Sequence, residues 1–234
     1  MKRIIKISLI LLLVGMAVIA TVPFLKEKRA EKKYENDFKN IQESVTEKKS
    51  DVNGLVKKNK DCIGYVEIPG TTISYPVMQT KDKPDFYLNH DFNRNYSFYG
   101  TPYLSAYCDV EKSDNLIIYG HNINGGKMFG ALEQYKDKEF FYKHRKIYFT
   151  TDKKREYEVF AVMSVNIHEF EYWKFVMAKD EKEYDEFVDK VEKQSLWRQG
   201  NKPKYGEQML MLSTCDNGKG DDWRIVLIAK CVYS

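Results

Sequence analysis

No two of the four cysteines, Cys62, Cys108, Cys215 and Cys231, stand at Cys-x-x-Cys spacing, and none has a histidine a few residues away. Zinc-finger and zinc-ribbon ligand sets are excluded on that ground, and no metal is expected. The same four residues are scattered along a chain large enough to be stable without staples, so they imply no disulfide framework. A long run of one charge sign is missing too. The 38 Lys and Arg face 34 Asp and Glu, a formal charge of +4 with both signs interspersed, so no nucleic-acid partner is expected. Gly125, Gly126 and Lys127 lack the Gly-x-x-x-x-Gly-Lys spacing and the following Ser or Thr of a phosphate loop. No cofactor is expected.

What the 234 residues do contain points to one substantial β-rich core, because two full domains would be cramped. Seventeen Tyr and thirteen Phe, with Val and Ile runs and scattered Gly, favour strands over a helical bundle. Residues 7–25 are almost uninterruptedly apolar, broken only by Ser8, Gly15, Thr21 and Pro23. That length suits a bilayer-spanning anchor better than the shorter apolar core of a cleaved signal peptide. The expected organisation is a cytoplasmic tail over 1–6, a transmembrane anchor over 7–25, a helical stalk over 26–60 and a folded domain over 61–234. Lys26, Lys28, Arg29, Lys32 and Lys33 outnumber the basic residues before the run, so charge alone does not orient it. Within the stalk, Tyr34, Phe38, Ile41 and Val45 draw one apolar stripe along a helix. Residues 51–60, interrupted by Gly54, read as a connection.

Strand signals then come in eight short bursts: 62–68, 72–76, 101–104, 115–120, 146–150, 157–165, 208–214 and 223–232. Gly, Pro, Asp or Asn bound several of them, and the lengths suit a compact barrel rather than βαβ units. Residues 129–144 are helix-like. Residues 180–191 are more strongly so, with Tyr184, Phe187 and Val191 on one face, which puts a helix between the sixth and seventh strands.

Two segments carry chemistry. In residues 210–224 an apolar strand ends in Ser213, Thr214 and Cys215, a Gly-containing loop follows, and a second apolar strand opens with Trp223 and Arg224. A cysteine at a strand end beside a flexible loop is accessible enough to react, and a returning guanidinium would favour thiolate and bond a developing oxyanion. In residues 115–122 another apolar strand ends in His121, where an imidazole can protonate a leaving amine. From these residues alone, catalysis by Cys215 and a buried structural thiol remain equally open. Cys62 and Cys231 read as small buried hydrophobes, Cys108 as a residue able to be exposed, and His90, His144 and His168 as surface or structural.

The strand ending Leu212-Ser213-Thr214-Cys215, with Arg224 on the next strand and Tyr119-Gly120-His121-Asn122 upstream, resembles the signature of sortases. The likeness extends over 61–234, including residues 63–70 and 87–91, and the inserted helix and helical N-terminal segment resemble class B. The resemblance implies a closed eight-stranded β-barrel with His121, Cys215 and Arg224 as the catalytic set. It implies cleavage of a C-terminal sorting motif of secreted proteins after its Thr, a thioester on Cys215, and transfer to an amine of a peptidoglycan precursor. Leu88, Tyr119, Ser213, Thr214 and Asp216 would line the peptide groove, and the chain would sit single-pass in the cell membrane with its catalytic domain extracellular. A cysteine peptidase using water as acceptor, or a non-catalytic peptide-binding surface module, stays open beside it.

Overall fold

The computed structural model describes residues 52–233 throughout and, before them, residues 6, 19, 21–26, 28, 29, 32, 33, 35, 36 and 39. Two compact units divide the chain, Met1–Thr46 and Glu47–Ser234.

In the first unit every described residue is helical. The expected single-pass placement in the membrane, with the catalytic domain extracellular, is corrected here; of the expected anchor over 7–25, the structure describes residues 19 and 21–25. Among the described residues no helix is long and apolar enough to cross a membrane. Residues 21–26, 28 and 29 are helical, and Lys26, Lys28 and Arg29 follow the apolar run. Residues 7–18 and 20 lie outside the described residues, as does the expected stripe of Tyr34, Phe38, Ile41 and Val45.

The first described element of the second unit is a helix where the sequence suggests only a connection. Helix α1 (Val52–Lys58) tolerates Gly54 because Val52 and Leu55 bury one face, and Lys57 and Lys58 sit in its last turn. The strands follow as β1 (Cys62–Glu67), β2 (Ser74–Met78), β3 (Tyr103–Leu104), β4 (Asn115–Tyr119), the short ribbon β5 (Asn122–Ile123) with β6 (Lys127–Met128), β7 (Lys146–Thr150), β8 (Lys154–Asn166), β9 (Ser195–Arg198), β10 (Met209–Cys215) and β11 (Trp223–Tyr233).

The principal sheet runs in the order β11-β10-β4-β3-β2-β1-β7-β8-β9, and β11 also pairs with β8. That extra pairing closes β11, β10, β4, β3, β2, β1, β7 and β8 into an eight-stranded barrel, with β9 attached outside to β8. Closure removes the open edges on which sheets aggregate. Most neighbours are antiparallel, but β10 runs parallel to β4 and β2 parallel to β3. Strand β10 is apolar on both faces and buried from Met209 to Thr214, as a strand covered on both sides should be. Val66, Val77, Leu116, Phe149, Val162, Leu212 and Leu227 fill the interior, each worth about 1.5–3 kcal/mol on burial.

The helix-like stretch 129–144 is split in two. A 3-10 segment over Gly130–Lys136 gives way at Asp137, whose extended backbone ends one helix and whose side chain accepts from the Phe140 amide at 2.8 Å, capping α2 (Lys138–Lys143). Helix α3 (Glu181–Gln194) is capped likewise by Asp180, and Tyr184, Phe187, Val188 and Val191 form its buried stripe. It lies between β8 and β10 in the chain, as the sequence suggests, with β9 interposed.

Candidate active site

The parallel pairing of β4 with β10 sets the site. Its last register pair is Ser213 with Tyr119, and the Gly120 amide donates to the Ser213 carbonyl at 3.1 Å. His121 and Cys215 each lie two residues beyond that pair, so both chemical groups emerge from the same end of adjacent strands, on the face that Tyr119 and Ser213 share. Glycine at position 120 allows this close approach, because a Cβ there would meet the Phe129 ring at 2.8 Å and force a shift.

The third group arrives through the antiparallel β10–β11 pair, in which Cys215 is directly opposite Arg224. Opposed residues of such a pair have Cβ atoms about 4.5–5.5 Å apart on one face. Arg224 Nη1 donates to the carbonyls of Asp221 at 2.6 Å and Trp223 at 2.9 Å, which fixes the base of the fork. The guanidinium's other N–H groups remain available to bond a carbonyl or an oxyanion. Cys215, His121 and Arg224 are all half-exposed.

A groove of about 620 Å³ joins them, lined by Leu88, Tyr119, His121, Ser213, Thr214, Cys215 and Arg224 among others. Leu88 contributes through its backbone as well as its side chain, since its carbonyl oxygen lies 2.8 Å from His121 Nε2. A carbonyl only accepts, so that contact requires the proton on Nε2. The turn that presents this carbonyl (Phe86–Leu88) is fastened by buried Tyr87, whose hydroxyl donates to Asp61 at 2.7 Å. Gly100 (φ +60°) packs so close that a Cβ would collide with the Leu88 and Tyr87 carbonyls.

Ser213 is buried, and its Oγ shares a 2.7 Å hydrogen bond with the Tyr172 hydroxyl. Burial pushes the Tyr172 phenol up to about 12 despite that bond, so it stays neutral at physiological pH. Thr214 Oγ1 is buried without a hydrogen-bond partner among the described residues. Tyr119 lies against Tyr103 with ring centroids 5.5 Å apart, and burial raises both phenols.

Asp216 departs from expectation. It does not line the groove but is wholly enclosed, accepting from Ser164 Oγ at 2.6 Å and from Lys136 Nζ at 2.6 Å. Burial opposes its charge, yet the bonds from Lys136 and Ser164 outweigh this and hold its carboxyl below the usual 3.8. Nor does another acid orient the imidazole: among the described residues no carboxylate pairs with His121, while Asp222 faces His168 at 3.5 Å.

The remaining candidates sort by burial. Cys62 is buried with its thiol pushed up to about 12, and Cys108, which the sequence leaves able to be exposed, is buried and donates to the Asn115 carbonyl at 3.4 Å. Cys231, expected to be buried, is half-exposed near the C-terminal end of β11. His90 and His144 stack on Phe86 and Phe140 at 3.8 and 3.9 Å. Sequence reasoning missed Tyr103 on β3, and Asp85, Tyr172 and Trp173, in the groove wall, because no local pattern links them to the distant strand end that carries Cys215. Asn122 was legible only as part of a motif; its Nδ2 donates to the Cys215 carbonyl at 2.7 Å.

Comparison with known proteins agrees with this geometry. A family model of the sortase domain matches residues 66–232. The chain is 28% identical to sortase B of Staphylococcus aureus over 99% of its own length and 98% of that protein. It is 32% identical to sortase B of Listeria monocytogenes over 80% of its length and 76% of that protein. The solved S. aureus sortase B–substrate complex superposes with a TM-score of 0.77 at 26% identity, covering 89% of this chain and 99% of that one. Sortase B of Clostridium perfringens does so with a TM-score of 0.72 at 28% identity, covering 77% and 98%. A closed eight-stranded barrel, a cysteine, histidine and arginine converging on one groove, and these relatives together make the chain a class B member of the sortase family of cysteine transpeptidases.

Proposed function

We propose that the protein cleaves a sorting motif near the C-terminus of secreted proteins after its Thr and transfers the acyl fragment, through a thioester on Cys215, to an amine of a peptidoglycan precursor. The observation that carries this reading is the register of β10, which sets Cys215 opposite Arg224 on one side and brings it level with His121 on the other. The Cys215 sulfur attacks the scissile carbonyl carbon, the C–N bond breaks, and the departing amine takes a proton from His121. The incoming amine then attacks the thioester carbonyl and loses a proton to His121, and the Cys215 sulfur leaves. Arg224 bonds the oxyanion that forms in both halves. Leu88, Tyr119, Ser213 and Thr214 contact the peptide, and residues 61–234 constitute the catalytic domain.

The test supplies peptides drawn from the C-termini of secreted proteins that end in a short motif, an apolar segment and a basic tail, with and without an amine acceptor. An amine adduct that disappears in Cys215→Ala supports the transpeptidase reading. Cleavage with no adduct at any amine concentration would mark a peptidase using water, and binding without cleavage a recognition module.

A further inference from the structure

Between Cys215 and His121 runs a chain of polar contacts that the catalytic steps above do not use. Asn122, the residue after His121, donates through one Nδ2 group to both the Cys215 carbonyl and Glu133 Oε1, each at 2.7 Å. Glu133 Oε2 pairs with Lys136 Nζ at 2.7 Å, and the same ammonium reaches Asp216, the residue after Cys215, at 2.6 Å. The circuit closes: the residue following the nucleophile and the residue following the imidazole are tied together by one lysine and one glutamate from the 3-10 segment Gly130–Lys136. Lys136 is itself held from behind, since the Trp197 indole donates to its carbonyl at 2.9 Å.

The contacts differ in worth. A half-exposed pair three residues apart, such as Glu133 with Lys136, contributes little on its own. Asp216 is different because it has no solvent exposure, and a buried carboxylate deprived of its counter-charge is strongly unfavourable. Asp216 also organises the turn that carries the chain from Cys215 to Arg224. Its carboxylate accepts from the Gly218 amide at 3.3 Å, its carbonyl from the Lys219 amide at 3.0 Å, and its amide donates to the Trp223 carbonyl at 2.9 Å. Displacing Asp216 therefore disturbs the approach of both Cys215 and Arg224.

We infer that Lys136 is a positioning residue of the transpeptidase, holding Asp216 directly and the Cys215 carbonyl through Glu133 and Asn122, so that thiol, imidazole and guanidinium share one geometry. This rests on the assignment of Cys215 and His121 to catalysis. The role is distinct from tuning the imidazole, because the carboxylate next to the nucleophile is spent on Lys136.

The experiment measures kcat and KM for a cleaved peptide, with melting temperature, in wild type, Lys136→Met, Lys136→Arg, Asn122→Ala and the double variant Lys136→Met/Asn122→Ala. Misplacing a reacting group by a fraction of an ångström should lower kcat of Lys136→Met about tenfold to a hundredfold, with KM within about twofold. Lys136→Arg should regain most of that loss, since it keeps a donor cation for Asp216, and the double variant should be no slower than the slower single one. A folded Lys136→Met with kcat within about twofold of wild type would overturn the inference, as would an Arg variant no better than Met or fully additive losses. If Lys136→Met does not fold, Asn122→Ala decides alone: a kcat-specific loss supports the circuit, and wild-type kcat overturns it. Activity surviving in Cys215→Ala would instead sink the catalytic assignment on which the inference rests.

Discussion

Cys215 and Arg224 face each other directly across the antiparallel β10–β11 pair, with Arg224 Nη1 fixed by the carbonyls of Asp221 and Trp223. The guanidinium is thus oriented by its own backbone before any substrate arrives, which is the condition for directed hydrogen bonding rather than diffuse charge compensation. Arg224→Ala is expected to lower kcat by about a hundredfold to a thousandfold. Arg224→Lys keeps the charge but loses the planar fork, and should recover only a small part. Peptide turnover by the three proteins checks this; near-normal rates in both variants would remove Arg224 from the site.

Thiol chemistry should be confined to one position. Cys215 is half-exposed in the groove beside a cation, whereas Cys62 and Cys108 are buried and burial raises their thiols. Cys231 is half-exposed, but burial raises it too. Brief alkylation followed by peptide mapping should find Cys215 modified first, in step with loss of activity. Modification of Cys231 ahead of Cys215, with activity retained, would contradict the assignment.

Acid stability should depend on Asp216. Its folded pKa lies below the ordinary 3.8 of an aspartate, so its contribution is present above that value and is lost as pH falls through the depressed one. The melting temperature of the wild type should fall between about pH 5 and pH 2, and Asp216→Asn should flatten that fall while lowering stability at neutral pH. Parallel melting curves of the two proteins across that range would show that the carboxylate is not held as described.

Gly120→Ala places a methyl group 2.8 Å from the Phe129 ring, so the ring or the strand end must shift. Overpacking of this kind costs about 1–3 kcal/mol, and here the shift acts one residue from His121. Both melting temperature and kcat should drop, whereas Gly125→Ala, with nothing within 4 Å of the added atom, should leave packing undisturbed and cost only its positive-φ strain.

The barrel was legible because its strands are apolar bursts punctuated by turn residues, and β7 begins and ends where the pattern does. Strands β5, β6 and β9 were not, since two to four residues carry no periodicity of their own. Helix α1 was hidden by Gly54, whose helix-breaking tendency is outweighed by burial of Val52 and Leu55. Cys215 and Arg224 could be paired in advance because a hairpin brings near sequence neighbours together. The partnership of Cys215 with His121 came from the family signature, since a parallel pairing between distant strands leaves no local trace. Asp216 was misplaced for the same reason: its partner Lys136 is 80 residues away, and the alternation of the strand alone does not say which side of the barrel is groove.

The central claim is that Cys215 carries the acyl fragment, and the most direct test is intact-protein mass spectrometry of enzyme mixed with a cleavable sorting peptide and quenched in acid. A mass increase equal to the N-terminal fragment, mapped to Cys215, discharged by added amine and absent from Cys215→Ala, is the expected result. Multiple turnovers of amine-linked product, with no adduct on Cys215 and undiminished activity in Cys215→Ala, would contradict it.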